Sequence, residues 1–268
     1  MEIDSGWEPG WYPLAANALS NTYAYAGTYS RRITMTSGNY GELRSVPRNF
    51  PNGWLRSTAW VRGSISAIYL RMIDNDGGTI IAAITSYGIT INQWSPVVIS
   101  GRGSKTSNFA YVGFLNTAIQ AAEYYIDNVS CANLTLASLF STLVYASPNC
   151  DISVAIAFTT GTQAGIVGRL DSATNPANFL IAYLDGAGNV KVDKCVAGVY
   201  TNVISGAVTY AAGRVLRLVC SGNDVSAYYN GVQVGTTQTV SDAAIVNNTR
   251  HGKFSTYASN LLLDYTSA

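Results

Sequence analysis

The residue best placed to do chemistry in this sequence is an acid within an apolar, strand-like segment. Residues 123–130 read Glu-Tyr-Tyr-Ile-Asp-Asn-Val-Ser. Because successive side chains of a β-strand point to opposite faces, Asp127 is predicted to share a face with Tyr125 and Val129. A carboxylate in such a position is costly unless a cation accompanies it. We therefore predict a cation partner for Asp127, and a second acid, Asp4, stands near the start of the chain.

A set of aromatic and basic side chains is the second chemical candidate. The chain has 18 tyrosines and 5 tryptophans but only 12% charged residues. Sugar rings stack their C–H faces on aromatic rings, and their hydroxyl groups bind planar donors such as arginine. Alternate positions on two consecutive strands supply the candidates Arg56, Trp60, Arg62, Tyr69 and Arg71. They form one binding platform if the two strand faces coincide; otherwise Trp60 fills the core and the arginines are solvated.

Residues suited to hydrolysis are scarce. A glycosidase needs two carboxyl groups across the sugar, one of them an acid of raised pKa. The chain has four glutamates, and none lies in a Glu-x-Asp-x-x-Glu strand pattern. The one histidine, His251, has no nucleophile elbow to complete a Ser-His-Asp triad and is predicted to be a loop or strand-edge residue. We therefore predict that the protein is not an enzyme.

Length and charge exclude several classes of partner. With 268 residues, 48% of them hydrophobic, the chain is long enough for two domains with cores of their own. A formal net charge of +1 without basic clusters argues against nucleic acid. No apolar run reaches the roughly 18 residues of a membrane helix, so no membrane insertion is expected. The first motif follows Met1 directly, and we expect an extracellular or virion-surface location reached after signal removal or by lysis.

Strands must position these candidate residues, because polar and apolar residues alternate along nearly every segment. One such ladder is formed by Ile152, Val154, Ile156 and Phe158. Turn signals separate the ladders, among them Asn230-Gly231, which favours a hairpin with positive φ at both positions. The pattern predicts an all-β chain of two tandem antiparallel β-sandwich (jelly-roll) domains. We place them at residues 1–131 and 132–268.

Several motifs follow one another through the first half of the chain. They are Ile3–Trp7, Ala26–Thr34, Leu55–Arg62, Trp94–Val98, Ala110–Phe114 and Tyr124–Val129. Their order resembles carbohydrate-binding modules of the family 4/9 type, which are galactose-binding-like jelly rolls. In that family the first acid, the last-strand aspartate and nearby backbone carbonyls often hold a structural Ca²⁺. The resemblance implies these ligands here: Asp4, Asp127, Gly27 and Thr28.

One departure bears on that calcium site. Asp4 stands where the family usually has glutamate, so its carboxylate reaches less far. The alternative is a pair of surface carboxylates with no metal.

The second half has a resemblance of its own. Its motifs are Asp151–Val154, Ala164–Arg169, Asn178–Tyr183 and Val225–Gly231. In this order they resemble concanavalin A-like, laminin G-like jelly rolls. The sequence distinguishes no binding site in this half from ordinary surface, although Arg169, Asp171, Asn178 and Tyr183 are predicted to lie near one sheet edge.

Four cysteines leave the redox state open. Cys131, Cys150, Cys195 and Cys220 allow three pairings, and none has the Cys-x-x-Cys spacing of a zinc or redox site. A Cys131–Cys150 disulfide would staple the interdomain segment and contribute about 3 kcal/mol. Four buried free thiols are the alternative.

Two functions from different classes remain at this point. The first is a non-catalytic glycan-binding protein that presents two modules to a polysaccharide or surface glycan. The second is a virion structural protein, such as a capsid decoration or tail-associated protein, whose sandwiches bind other copies of the chain or capsid and tail proteins. A glycosidase is disfavoured by the missing acids.

Overall fold

The computed structural model describes residues 7–9, 16–35, 42–45, 48–49, 54–74, 80–102, 109–115, 121–157 and 159–257. It contains two compact units, residues 1–133 and 134–268. The two helices of these described ranges, α1 (Leu136–Leu139) and α2 (Ala243–Val246), have four residues each. Within the same ranges, no helix is long and apolar enough to cross a membrane. Antiparallel strands make up the rest of the regular structure, which confirms the predicted all-β class.

The first unit is built from eleven strands in the ranges that the structure describes. They are β1 (Trp7–Pro9), β2 (Ala16–Ser20), β3 (Ser30–Met35), β4 (Glu42–Ser45), β5 (Arg48–Asn49), β6 (Trp54–Gly63), β7 (Ala67–Asp74), β8 (Ile80–Gly88), β9 (Ser95–Arg102), β10 (Phe109–Leu115) and β11 (Ala122–Leu134). One sheet has the order β1-β4-β10-β7-β8, with β5 paired to β10. The other has the order β2-β3-β11-β6-β9 and is called here the platform sheet.

The core of the first unit lies between these two sheets. Alternate residues of β6, such as Leu55, Ala59 and Val61, pack there against Leu70 and Phe114 of the opposite sheet. The intervening β6 residues therefore face away from the core. This makes the unit a β-sandwich with an outward face on each sheet.

The alternation along β11 changes phase at Asn128. Tyr124 and Ile126 point into the core before it, whereas Val129 and Cys131 pack against the core after it. Asn128 has φ 48°, in the left-handed region that asparagine tolerates better than most residues, and it acts as a bulge. Asp127 therefore shares the outer face with Tyr125 but not with Val129, and the second part of that prediction is wrong.

The second unit contains α1, α2 and ten strands in the described part of the chain. The strands are β12 (Phe140–Val144), β13 (Cys150–Ile156), β14 (Ala164–Leu170), β15 (Phe179–Leu184), β16 (Asn189–Val196), β17 (Val199–Ala207), β18 (Arg214–Ser221), β19 (Asp224–Tyr229), β20 (Val232–Thr239) and β21 (Arg250–Ser255). They form two sheets, β12-β21-β14-β15-β16-β17 and β13-β18-β19-β20.

These two sheets also enclose a core. Ile166, Leu180 and Val192 of the larger sheet pack with Leu218 and Val225 of the smaller one. The hairpin between β19 and β20 turns at Asn230 and Gly231, whose φ values are 49° and 81°. Positive φ at both turn positions is confirmed, and it is the requirement that selects an Asn-Gly pair.

Candidate functional site

The outer face of the platform sheet carries three of the predicted binding residues. Arg56, Trp60 and Arg62 are all partly exposed, and they alternate along β6 with core residues. Strand periodicity was sufficient to place them together, because β6 alternates regularly from Leu55 to its end at Gly63.

The segment 21–29 lies over this face and adds tyrosines that strand periodicity did not predict. The ring of Tyr25 stacks on Trp60, with the ring centroids 3.8 Å apart and the planes 12° from parallel. Trp94 meets Tyr25 edge-on at a centroid distance of 5.9 Å. Because Tyr25 covers Trp60 and is itself 42% exposed, Tyr25 is the ring presented to solvent and Trp60 is its support.

A second group of contacts lies beside this stack. The guanidinium carbon of Arg62 lies 4.1 Å from the centroid of Tyr23, within the range of a cation–π contact. Tyr23 also meets Tyr125 edge-on at 4.9 Å, and 41% of Tyr23 is exposed. We call Tyr23, Tyr25, Trp60 and Trp94 the aromatic platform.

Asp127 holds the segment that carries this platform. Its side chain is fully buried. Oδ2 accepts hydrogen bonds from the backbone N–H groups of Tyr25, at 2.8 Å, and Ala26, at 3.1 Å. Oδ1 accepts one from the N–H of Asn128 at 2.6 Å. Burial acts to raise the pKa of this carboxyl group, but the N–H donors, first Ala26 and then Asn128 and Tyr25, lower the pKa below its ordinary value.

A polar cluster lies next to Asp127 on the same face of β11. Arg32 donates through Nη2 to Oε2 of Glu123 at 2.6 Å, and the Tyr125 hydroxyl donates to Oε1 at 2.6 Å. Burial acts to raise the pKa of Glu123, but the hydrogen bonds from Tyr125 and Arg32 leave that pKa lowered. Glu123 is thus held as an anion, the wrong state for a general acid.

The other two predicted binding residues lie elsewhere. Tyr69 and Arg71 belong to β7, in the opposite sheet, and they alternate there with core residues such as Leu70. The two strand faces therefore do not coincide, and the prediction of one platform containing all five residues is wrong. The reason is topological: β6 and β7 follow each other in sequence but pair in different sheets.

Arg71 has a structural partner instead. It is 6% exposed, and its Nε and Nη2 donate to the two carboxylate oxygens of Glu42 at 2.7 Å and 2.5 Å. Gly113 leaves the room for this pair, since a Cβ there would overlap Oε1 of Glu42.

The predicted calcium ligands are only partly described. Asp4 lies outside the described residues. Gly27 has φ 72° and Thr28 is exposed, and both lie in the segment that Asp127 holds. Calcium requires about six to eight oxygen ligands, but the described ranges contain no cluster of three acidic, histidine or cysteine side chains that could hold a metal. Because Asp4 is not among the described residues, the metal stays a prediction.

The second unit contains a buried group of polar side chains that the sequence did not bring together. Cys150 of β13 lies directly opposite Cys220 of β18. The backbone N–H of Arg169 donates to Nδ1 of His251 at 3.2 Å, and Nε2 of His251 lies 3.1 Å from the Ser147 carbonyl oxygen. His251 is 3% exposed, so it is a buried strand residue and not the predicted loop or edge residue.

Arg169 also corrects the predicted sheet-edge site of this unit. It is fully buried, with Nε donating to the Pro148 carbonyl at 2.8 Å and Nη2 to the Gly222 carbonyl at 2.6 Å. Asp171 and Asn178 bind each other at 2.6 Å. Arg169 and Tyr183 are buried whereas Asp171 is exposed, so the four predicted residues do not line one common rim.

Comparison with known proteins gives only distant similarities. No family model matches the chain, and no curated protein matches it. A carbohydrate-binding module of family 66 from Bacillus subtilis is similar at 14% identity, covering 44% of this chain and 72% of that chain with a TM-score of 0.33. A family 61 module solved with β-1,4-galactotriose has 17% identity, 48% and 90% coverage and a TM-score of 0.37.

Sheep galectin-11 is a third similar structure, at 8% identity, with 48% of this chain and 92% of that chain covered and a TM-score of 0.36. Similarities this low assign neither a family nor a ligand.

Proposed function

We propose that the protein is a non-catalytic glycan-binding protein and that the aromatic platform of the first unit is its binding surface. The observation that carries this proposal is the stack of Tyr25 on Trp60, which leaves Tyr25 42% exposed. Contacts with Trp60 and Trp94 fix the orientation of the Tyr25 ring, while its other face stays in water. A sugar ring whose C–H face lies on Tyr25 would bury that face.

Polar groups flank the exposed rings in the way that sugar hydroxyl groups require. Arg62 lies over Tyr23 on one side. Glu123 and Arg32 form an ion pair on β11 and β3 of the same sheet, with 32% and 46% of their side chains exposed. Donors and acceptors are thus both available at the surface, and a neutral or mixed-charge glycan suits them better than a strongly charged one.

The absence of hydrolysis is part of the proposal and has its own support. The two carboxylates on this face of β11 are unsuited to acid catalysis. Asp127 is buried and bound by N–H donors, and Glu123 is paired with Arg32 and has a lowered pKa. A glycosidase acid needs a raised pKa so that it is protonated when it meets the glycosidic oxygen.

Binding is tested with a glycan array and with affinity electrophoresis in gels that contain soluble polysaccharides. We expect Tyr25→Ala to lower the affinity for any glycan retained by the wild type by about tenfold or more, as removal of a central aromatic contact does. Tyr145→Ala is the matched control, because Tyr145 is 59% exposed but lies in the second unit. Equal retention of wild type and Tyr25→Ala would contradict the proposed surface, and release of reducing sugar by the purified protein would contradict the non-catalytic assignment.

We also propose that the protein acts outside a cell or on a virion and presents its modules in several copies. The support is physical: one shallow, exposed surface binds weakly, and linked copies raise avidity by about 10² to 10⁴. Virion assembly without sugar binding is the alternative role. A chain that assembles into particles and is retained by no glycan would favour that role.

A further inference from the structure

The pairing register of the second unit places two cysteines face to face. Cys150 is the first residue of β13, and its Cα partner in β18 is Cys220. Directly opposed residues of antiparallel strands have Cα atoms about 4.5 to 5.5 Å apart. A disulfide requires a Cα separation of about 4.4 to 6.8 Å. The register therefore meets the first geometric condition for a bond between these two sulfur atoms.

Both side chains also point to the same side of the sheet. Cys220 is a core residue with 2% exposure, and Cys150 packs against the same core. A Cβ placed on Gly168 of the facing sheet would lie 4.0 Å from the Cys150 sulfur and 3.7 Å from Nδ1 of His251. Gly168 thus lies beside both the Cys150 sulfur and the His251 imidazole, and its lack of a side chain leaves these two groups uncrowded on that side.

The two thiols differ in accessibility and in acidity. Cys150 is partly exposed, whereas Cys220 is buried. A hydrogen bond from the Cys220 thiol lowers the pKa of Cys150, and burial opposes this; His251 and the positive charge of Arg169 lower it further. The same hydrogen bond, followed by burial, raises the pKa of Cys220. The more exposed thiol, Cys150, therefore loses its proton more easily than the buried thiol of Cys220.

The environment of Arg169 also favours a thiolate at Cys150. Its Nη1 atom is buried and has no hydrogen-bond partner within the described part of the chain. A buried guanidinium with an unused donor favours an anion close by. A thiolate at Cys150 would be such an anion.

We propose that Cys150 and Cys220 are a reactive dithiol that closes to a cross-strand disulfide when the protein meets a small-molecule disulfide. The Cys150 thiolate attacks one sulfur of the oxidant, forms a mixed disulfide and releases one thiolate. Cys220 then loses its proton to the solvent or to the released thiolate and attacks the Cys150 sulfur, which releases the second thiolate. Two cysteine sulfurs are oxidised and one small disulfide is reduced to two thiols.

The other two cysteines provide internal controls. Cys131 lies in the first unit and its thiol donates to the Ser57 hydroxyl at 3.3 Å. Cys195 is fully buried, and its strand partners are Phe179 and Tyr200. Neither of them has a cysteine opposite in the registers that the structure describes.

The experiment treats the reduced full-length protein with oxidised glutathione and follows its intact mass, with peptide mapping under non-reducing conditions. We expect a loss of two hydrogen atoms, with one linked pair that joins the peptides of Cys150 and Cys220. The Cys131→Ser/Cys195→Ser double variant should give the same product. Closing a loop of this length should raise the melting temperature of the second unit by on the order of 10 °C, and a thiol reductant should reverse the rise.

Single variants test the order of the two steps. In Cys220→Ser the reaction should stop at a mixed disulfide between glutathione and Cys150. Cys150→Ser should take up little glutathione. Three results for the wild type would show that the proposal is wrong. They are a stable glutathione adduct, a disulfide between any other pair of cysteines, and a protein that stays fully reduced in the presence of oxidised glutathione. These mass measurements on the wild type do not depend on whether the single variants fold.

Discussion

Removal of the Asp127 carboxylate should destabilise the first unit and displace the segment that carries the aromatic platform. The two oxygens of Asp127 accept three N–H groups, and two of these belong to Tyr25 and Ala26. An unsatisfied buried donor costs about 1 to 3 kcal/mol. Because Tyr25 is 42% exposed, water can reach part of the segment, and the lower half of that range applies. Counting only the two donors of this segment, the N–H groups of Tyr25 and Ala26, we expect Asp127→Ala to lower the free energy of unfolding by about 2 to 4 kcal/mol.

The distribution of tryptophan makes this measurable in the intact chain. All five tryptophans lie within residues 1–133, so tryptophan fluorescence reports the first unit alone. Urea unfolding of wild type and Asp127→Ala should show the loss, and the mutant should also lose glycan retention as Tyr25 leaves Trp60. Asp127→Asn keeps one acceptor oxygen but sets an NH₂ group against N–H donors. Its free energy of unfolding should lie between those of the wild type and Asp127→Ala.

A matched control is Asp151→Ala. Asp151 pairs with Arg217 on the surface of the second unit, with 46% of its side chain exposed, and such pairs contribute about 0 to 1 kcal/mol. Asp151→Ala should therefore leave the urea unfolding transition followed by tryptophan fluorescence unchanged. If Asp127→Ala shifts the free energy of unfolding by less than about 0.5 kcal/mol, the inference that its carboxylate holds segment 21–29 is refuted.

Three further predictions concern charge and metal in the first unit. The pKa of Asp127 is lowered from its ordinary value of 3.8, so its carboxylate stabilises the fold above that value, and this stabilisation is lost as pH falls through the lower folded pKa. The difference in free energy of unfolding between wild type and Asp127→Asn should therefore hold from about pH 7 to 5 and shrink below 3.8. A difference that shrinks already above pH 5 would contradict this. If Ca²⁺ joins Asp4 to Asp127, excess chelator should lower the melting temperature, and an unchanged melt would rule the ion out. Arg71→Ala should cost about 3 to 5 kcal/mol, because the buried Glu42 carboxylate loses two hydrogen bonds from the guanidinium. Folded protein should keep its glycan affinity, and lost affinity would mean that Arg71 has a binding role.

Local alternation was enough to predict the parts of this protein that depend on neighbours in sequence. Period-two patterning predicted the strands, and it placed Arg56, Trp60 and Arg62 on one face of β6. The φ preferences of asparagine and glycine predicted the Asn230-Gly231 turn. These inferences succeed because a side chain's direction in a strand and a residue's φ are local properties.

The tertiary structure decided everything that depends on which strands become neighbours. Tyr69 and Arg71 face away from the platform because consecutive strands pair in different sheets. Asp127 binds the N–H of Tyr25 across 102 positions of sequence, and Cys150 meets Cys220 through a register between β13 and β18. Sheet membership and register are set by the joint burial of both sandwich faces, a long-range condition that no single strand pattern contains. For this reason the sequence predicted a binding surface with Trp60 in it, whereas only the fold showed that Tyr25 covers Trp60 and faces the solvent.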